Sequence, residues 1–369
     1  MKILHVSDAY LPFPGGVGEH IYNLKKYLER LGHEVFVLTS GFPELREEVD
    51  TNVIRRGRVV LTPALKIFNN TQLTLTFDPG LPSFLKEFYK KNRFDVVHLH
   101  GPLAPNLPGL ALHYSPYPSV ATFHTAFVGF NWNKVARIFF EKDARKLRKF
   151  IFVSKTAKEA VIPPYHGDWV IIPNGVDLEL FYPEEKGRFV YGKINVGFLS
   201  RHEPRKGLHI LLEAFAKDRK LREDAHLVIG SSGPLTEYYK EFCEKHNIPA
   251  TFLGKIPKSE LPDFYRKIDI FVAPATGGES FGLILLEAMA CGTPVIASNI
   301  EGYKNVVIDG ENGLLFEKGD AFDLADKIKE LISNENLRLK IVKNALEFVK
   351  PYHWLEVAKQ IEKVYREIV

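Results

Sequence analysis

Short apolar runs alternate with amphipathic stretches along most of the chain. Ile3 to Val6, Val35 to Thr39, Val96 to Leu99, Val120 to Thr122, Phe150 to Val153 and Val170 to Ile172 have the length and near-continuous apolarity of strands buried on both faces. Between them, Val17 to Leu31, Pro82 to Lys91 and Asn133 to Lys149 carry apolar residues at helical spacing. A second series follows, with strands predicted at Ile194 to Leu199, Leu227 to Ile229, Thr251 to Leu253, Ile270 to Ala273 and Val295 to Ala297. Its predicted helices are Gly207 to Ala216, Leu235 to Lys245 and Glu260 to Lys267. Such alternation predicts two doubly wound α/β domains, in which ligands bind beyond the carboxyl ends of the strands. The turn Pro173-Asn174-Gly175-Val176-Asp177 is the predicted linker. The last 50 residues read as helical with a break at Lys350-Pro351-Tyr352, and Trp354, Val357, Ile361 and Val364 recur at a spacing that predicts packing on a core.

Length supports two domains, since 369 residues exceed what one core usually organises. No stretch approaches the ~20 apolar residues of a spanning helix. Met1-Lys2-Ile3-Leu4-His5-Val6 reads as a first strand rather than a secretion signal, which predicts a cytoplasmic protein, free or on the inner face of the membrane. Cys243 and Cys291 read as separate buried thiols rather than a disulfide or metal pair. Sparse Gln, Met and Cys against abundant Lys, Glu and Pro fits a heat-adapted source. Net charge is +4, yet 131–150 alone is +5, from Lys134, Arg137, Lys142, Arg145, Lys146, Arg148 and Lys149 against Glu141 and Asp143. The positive potential is therefore local, and nothing points to a nucleic-acid partner.

The densest chemistry lies in Gly277-Gly278-Glu279-Ser280-Phe281-Gly282-Leu283, which runs on to Glu287. Flanking strands predict a helix starting near Ser280, with Glu279 ahead of its first turn and Glu287 two turns in. Along such a helix the two carboxylates stand roughly 12 Å apart. The N–H groups of Phe281, Gly282 and Leu283 would face the gap, where the helix dipole favours a phosphate. The plain alternative is two glutamates near a helix start with no ligand. The Glu279 to Glu287 spacing, followed by Ala288-Met289-Ala290-Cys291-Gly292-Thr293-Pro294-Val295-Ile296-Ala297, resembles the signature of glycosyltransferase family 4, retaining enzymes of the GT-B fold.

The resemblance implies two Rossmann-like domains facing a central cleft. They would be residues 1–172 on the acceptor side, completed by a final helix 353–369 that crosses back, and residues 173–352 for the nucleotide sugar. Arg201 and Lys206, five apart in the loop after a strand, suit a pyrophosphate, and the family uses matching residues as a diphosphate clamp. His124, after the strand ending at Thr122, matches a family residue directed at the donor sugar; by residue type alone it reads as a structural histidine. Glu279 would bind sugar hydroxyls, Glu287 the ribose, and Ile256 the base through its backbone. Gly16-Val17-Gly18 fails the dinucleotide fingerprint, because Ile21 stands where its last glycine belongs; Gly15 and Gly16 suit the facing side of a phosphate or acceptor pocket instead, the alternative being a purely structural loop.

The segment from Asn133 to Lys149 reads as a basic amphipathic helix preceded by Phe127, Phe130 and Trp132, which fits an anionic membrane surface. Its cations Lys134, Arg137, Arg145 and Arg148 fall on one predicted face; the alternative is an ordinary helix with a solvated side. The stretches 121–150 and 198–207 are similar to family 4 phosphatidylinositol mannosyltransferases. Tyr10, Asn69 and Thr125 are then candidate acceptor contacts. The resulting expectation is transfer of a hexose, best mannose from GDP-mannose, to a membrane-associated acceptor such as an inositol phospholipid. Metal and other cofactors are not expected, the nucleotide sugar being a co-substrate. Alternatives are UDP-glucose or another donor with a soluble or polyprenyl-linked acceptor, and a catalytically silent sugar-nucleotide-binding protein.

Overall fold

Strand order reverses once in each of two parallel sheets, and that reversal fixes where loops can gather. The computed structural model describes every residue except 13–14, 42–49, 62–73, 103–105, 125–141, 161–166, 185–186, 188 and 191. It divides into two compact units, Met1–Gly175 with Trp354–Val369, and Val176–His353.

Among the described residues, the first unit holds β1 (Lys2–Ser7), α1 (Gly16–Arg30), β2 (Glu34–Gly41), β3 (Val53–Leu61), β4 (Thr74–Phe77) and α2 (Leu81–Lys91). These are followed by β5 (Val96–His100), α3 (Leu107–Tyr114), β6 (Ser119–Phe123), β7 (Leu147–Phe152), α4 (Lys155–Ala160) and β8 (Asp168–Ile171). The sheet order is β4-β3-β2-β1-β5-β6-β7-β8, parallel except for the antiparallel β3/β4 pair. Its two faces bury different stripes, as period-2 alternation requires. Leu4, Val6, Val97, Leu99 and Phe123 meet Leu85 and Leu107 on one side, whereas Ile3, Val96 and Val120 meet Leu24, Tyr27 and Leu28 of α1 on the other.

The second unit holds β9 (Ile194–Leu199), α5 (Leu208–Lys217), α6 (Arg219–Asp224), β10 (Ala225–Gly230), α7 (Thr236–Lys245), β11 (Ala250–Gly254) and α8 (Leu261–Lys267). It continues with β12 (Ile270–Ala273), α9 (Leu283–Ala290), β13 (Val295–Ser298), β14 (Leu314–Phe316), α10 (Ala321–Ser333) and α11 (Glu335–Phe348). The order β11-β10-β9-β12-β13-β14 is parallel throughout. Both sheets are the doubly wound kind that the alternating pattern predicts.

The last helix, α12 (Trp354–Arg366), belongs to the first unit. Trp354, Val357, Ala358, Ile361, Val364 and Tyr365 are buried in the α1 face of that sheet. Two expectations need correction. Leu147, Arg148 and Lys149 are the start of β7 rather than the end of a basic helix, because the alternate residues Phe150 and Phe152 pack into the sheet core, joined by Leu147 across a register shift against β6. Arg148 therefore lies exposed on a strand and Arg145 exposed in the turn before it, so the two do not share a helix face. The remainder of that segment, with Phe127, Phe130, Trp132, Lys134 and Arg137, lies outside the described residues. Both cysteines are buried and unpaired. No described helix is long and apolar enough to cross a membrane.

Removing the buried side chain of Ile361 should loosen α12 from α1. Ile361→Ala is expected to lower unfolding free energy by about 2–5 kcal/mol, read as a reduced urea midpoint; an unchanged midpoint would show that α12 adds nothing to this core.

Candidate functional site

In the second unit the reversal falls between β9 and β12, and the two loops leaving their carboxyl ends are drawn together. Thr276 N–H donates to the Arg205 carbonyl at 2.8 Å. Gly207, at φ 76°, presses so closely on Pro274 that a Cβ would stand 1.8 Å from its carbonyl oxygen. Any side chain there would part the loops.

This approach lets one carboxylate gather two cations. Glu279 Oε1 accepts from Arg205 Nη1 at 3.0 Å and from Lys206 Nζ at 2.5 Å. Glu203 pairs with Arg205 at 3.4 Å and with Arg201 at 3.1 Å. Arg201, Glu203, Arg205, Glu279 and Lys206 thus form an alternating ion chain with one excess positive charge. Lys206 and Glu279 are mostly buried, while Arg201 stays exposed. Arg205 and Glu203 were missed in the sequence, although both lie in the loop already singled out.

The helix after Glu279 begins later than predicted. Gly282 caps it at φ 102°, and α9 starts at Leu283. The left-handed cap explains the delay, because Ser280 and Phe281 lie before a backbone reversal that no helix can span. The 12 Å helical ruler therefore does not apply, and Glu287 lies in the second turn of α9 with Glu279 in the preceding loop. A Cβ on Gly282 would meet the Tyr303 ring at 3.0 Å, so the glycine serves the cap and this packing together. Phe281 buries its side chain near Tyr352, leaving its backbone as the part that can meet a ligand. Glu287 Oε2 accepts from Tyr265 O–H at 2.9 Å. Burial, with Glu287 alongside, holds the Tyr265 phenol well above its ordinary pKa, so it remains a donor. Ile256 is half-buried just after β11, and its δ carbon lies where a Cβ on Gly230 would reach.

In the first unit the reversal lies between β1 and β5, and histidines gather there. His5 pairs in register with His98, and His100 with Thr122, so the stripe that begins as Ile3, Val96 and Val120 turns polar toward the carboxyl ends. His98 and His100 stack at 4.4 Å, and His100 and His124 at 5.3 Å. His20 of α1 meets the His124 ring edge-on at 4.6 Å, with its Nδ1 2.9 Å from Asn174 Oδ1. Burial depresses all five imidazoles, His5 to about 3 and His20 to about 4. The signal for this ladder was the His98-x-His100 alternation on one strand face.

Gly15 and Gly16 stand exposed at the start of α1, with open space where a Cβ would project. Tyr10 is buried instead, and its hydroxyl donates to Asp50, which also binds Lys25. Its phenol is therefore committed to a structural bond rather than displayed to an acceptor. Asn69 and Thr125 lie outside the described residues.

The Glycosyltransferase Family 4 model matches residues 14–180, and the Glycosyl transferases group 1 model matches residues 184–348. A phosphatidyl-myo-inositol mannosyltransferase of Mycobacterium leprae is 34% identical over 381 residues, spanning 100% of this chain and 97% of the relative.

The chain belongs to glycosyltransferase family 4.

Family membership makes it a transferase of sugars, and its paired Rossmann-like domains are those of the GT-B fold. An alpha-monoglucosyldiacylglycerol synthase of Acholeplasma laidlawii is 28% identical over 402 residues, covering 100% of this glycosyltransferase and 98% of the relative. Among solved structures, a glycosyltransferase of Rickettsia africae superposes with TM-score 0.80 at 24% identity, covering 100% of this chain and 98% of that one. Anabaena HepE in complex with UDP-glucose superposes with TM-score 0.77 at 21% identity, each chain covered in full.

The ladder makes stability depend on pH. The unfolded histidines titrate near 6.5, while His5 and His20 stay neutral when folded until about 3 and 4. Protons are thus taken up first by the unfolded chain, so this stability is complete above pH 6.5 and is lost as pH falls toward 4. Asp8, raised to about 6 by burial, acts in the opposite sense, but the histidines outnumber it. The urea midpoint is expected to drop from pH 7.5 to pH 5, with each such histidine contributing on the order of 2 kcal/mol. A midpoint that does not move would contradict neutral burial.

Proposed function

We propose that this glycosyltransferase moves a hexose with retention, mannose from GDP-mannose, onto a lipid acceptor of the phosphatidylinositol type. The observation that carries this reading is the full-length 34% identity to phosphatidyl-myo-inositol mannosyltransferases, in a chain whose second unit gathers cations at its strand-order reversal. A second reading, UDP-glucose and a diacylglycerol acceptor, is supported by the glucosyldiacylglycerol synthase relative. Both deliver the sugar to a lipid.

In the proposed chemistry, charge grows on the departing diphosphate as the sugar bond breaks. Fixed cations that strengthen their hold as that charge develops lower the barrier selectively. Lys206, Arg205 and Arg201 supply them, with the free N–H groups at the start of α9. Without a donor, Glu279 occupies Arg205 and Lys206. A diphosphate replaces it as their partner and frees the carboxylate for sugar hydroxyls. Glu287 takes the ribose hydroxyls, Ile256 offers backbone bonds to the base, and Gly15, Gly16 and His124 serve the sugar and its phosphate. The leaving phosphate accepts the acceptor's proton on the same face, with no metal ion required. Peripheral attachment to an anionic membrane surface through Lys134, Arg137, Arg145 and Arg148 completes the proposal.

The test is transfer from GDP-mannose and UDP-glucose to vesicles containing phosphatidylinositol or diacylglycerol, with products resolved by mass. Mannosyl phosphatidylinositol is expected; glucosyl diacylglycerol alone would establish the second reading. With the productive pair, Lys206→Ala should lower kcat/KM roughly a hundredfold while leaving the melting temperature within a few degrees. Parallel loss of folding would remove the clamp assignment. Replacing Arg145 and Arg148 by Gln should weaken sedimentation with anionic vesicles but not with neutral ones. Undiminished binding would eliminate these two cations as membrane contacts.

A further inference from the structure

His124 does not stand alone; it ends a chain of imidazoles that begins in the core. His5 Nδ1 lies 3.0 Å from His100 Nε2, and His100 Nδ1 lies 3.0 Å from His124 Nε2. Each contact needs one hydrogen, and a neutral imidazole carries one. His100 must therefore donate from one nitrogen and accept at the other, which leaves two patterns. In the outward pattern His5 donates to His100, His100 donates to His124, and His124 carries its hydrogen on Nδ1. In the inward pattern each donor is reversed, and the hydrogen of His5 sits on Nε2.

The inner end decides between them. His5 Nε2 is buried and has no hydrogen-bond partner among the described residues. The inward pattern would strand an N–H there, the rarer defect in protein interiors, whereas the outward pattern strands only a lone pair. Neighbouring His98 offers that atom no help, because its own nitrogens meet the Tyr365 hydroxyl and Thr122 Oγ1. With nothing at the inner end to take or supply a proton, the chain holds a state rather than conducts. Ring nitrogens of His5, His98 and His100, and of His20, His100 and His124, lie within 4.8 Å of one another, but N–H···N contacts at 3.0 Å already join His5, His100 and His124 as neutral rings.

We propose that His5 and His100 are positioning residues that lock His124 in its Nδ1–H tautomer with Nε2 held inward. His124 then works through an N–H donor and never as a base. The catalytic part of this rests on His124 serving the donor sugar, as proposed above; the tautomer does not.

Long-range ¹H–¹⁵N spectra of the labelled full-length protein, with the His124 signals identified by His124→Gln, report the tautomer without substrate. Nδ1–H is expected for His100 and His124, and an Nε2–H His124 would overturn the proposal whatever the donor proves to be. Two substitutions test the consequence. His5→Leu removes the inner donor, whereas His5→Asn places an amide nitrogen where Nδ1 stood. At saturating nucleotide sugar, kcat should fall about tenfold or more in His5→Leu with KM unchanged, and return to within roughly threefold of the parent in His5→Asn. Equal loss in both variants, or a change confined to KM, would refute the positioning role.

Discussion

A parallel sheet that grows first to one side of its starting strand and then to the other must send neighbouring loops apart at one place. In the first unit that place is between β1 and β5, in the second between β9 and β12. Crossover helices cover the sheet faces elsewhere, but at the reversal the carboxyl ends of two central strands stay uncovered. The polar features of the molecule collect there: the histidine ladder at β1, β5 and β6, and the loops carrying Lys206 and Glu279 after β9 and β12. Neither grouping could form in a sheet whose strand order ran one way.

The two groupings solve different electrostatic problems. The exposed Arg201–Glu203 pair contributes only about 0–1 kcal/mol, and the mostly buried Lys206–Glu279 pair has its attraction offset by the cost of desolvating both charges, so the chain is a poor stabiliser. Its effect is to hold three cations close together in the loop after β9, tied by Glu279 to the loop after β12, without large net charge. The ladder is buried except at His124, which is partly exposed, and burial keeps its rings uncharged. Its rings bond to one another, to Thr122, to Tyr365 and to Asn174, with Nε2 of His5 and of His20 left without a partner among the described residues, and they stay neutral because ionisation inside the sheet face would lack hydration.

Patterns that repeat within one element were legible in the sequence, and features that depend on distant residues were not. The buried parallel strands read directly from their apolar runs. β3 and β4 did not, because Arg55, Arg56, Gly57 and Arg58 interrupt the first and an edge hairpin needs no continuous apolar run. α3 was hidden by Pro108 and Gly109 in its first turn, where a proline is tolerated and Asn106 supplies the cap. β14 is too short to stand out. At the candidate site, Glu279, Lys206 and Glu287 were visible as residue types, but Glu279 and Lys206 are 73 positions apart, so their pairing was not. The late start of α9 followed from the backbone angle of Gly282, which residue identity permits but does not dictate. His124 was singled out, while its supporting imidazoles required strand register to bring His5 beside His98 and His100.

The helix that completes the first unit is encoded after the whole of the second. During synthesis the ribosome must therefore finish β9 to α11 before α12 can cover Leu24, Tyr27 and Leu28. The amino-terminal half emerges first yet waits with one sheet face partly bare, against the usual order in which early domains mature early. A nascent chain of this kind has its longest-lived sticky surface near its beginning, the region where a chaperone would have most to shield.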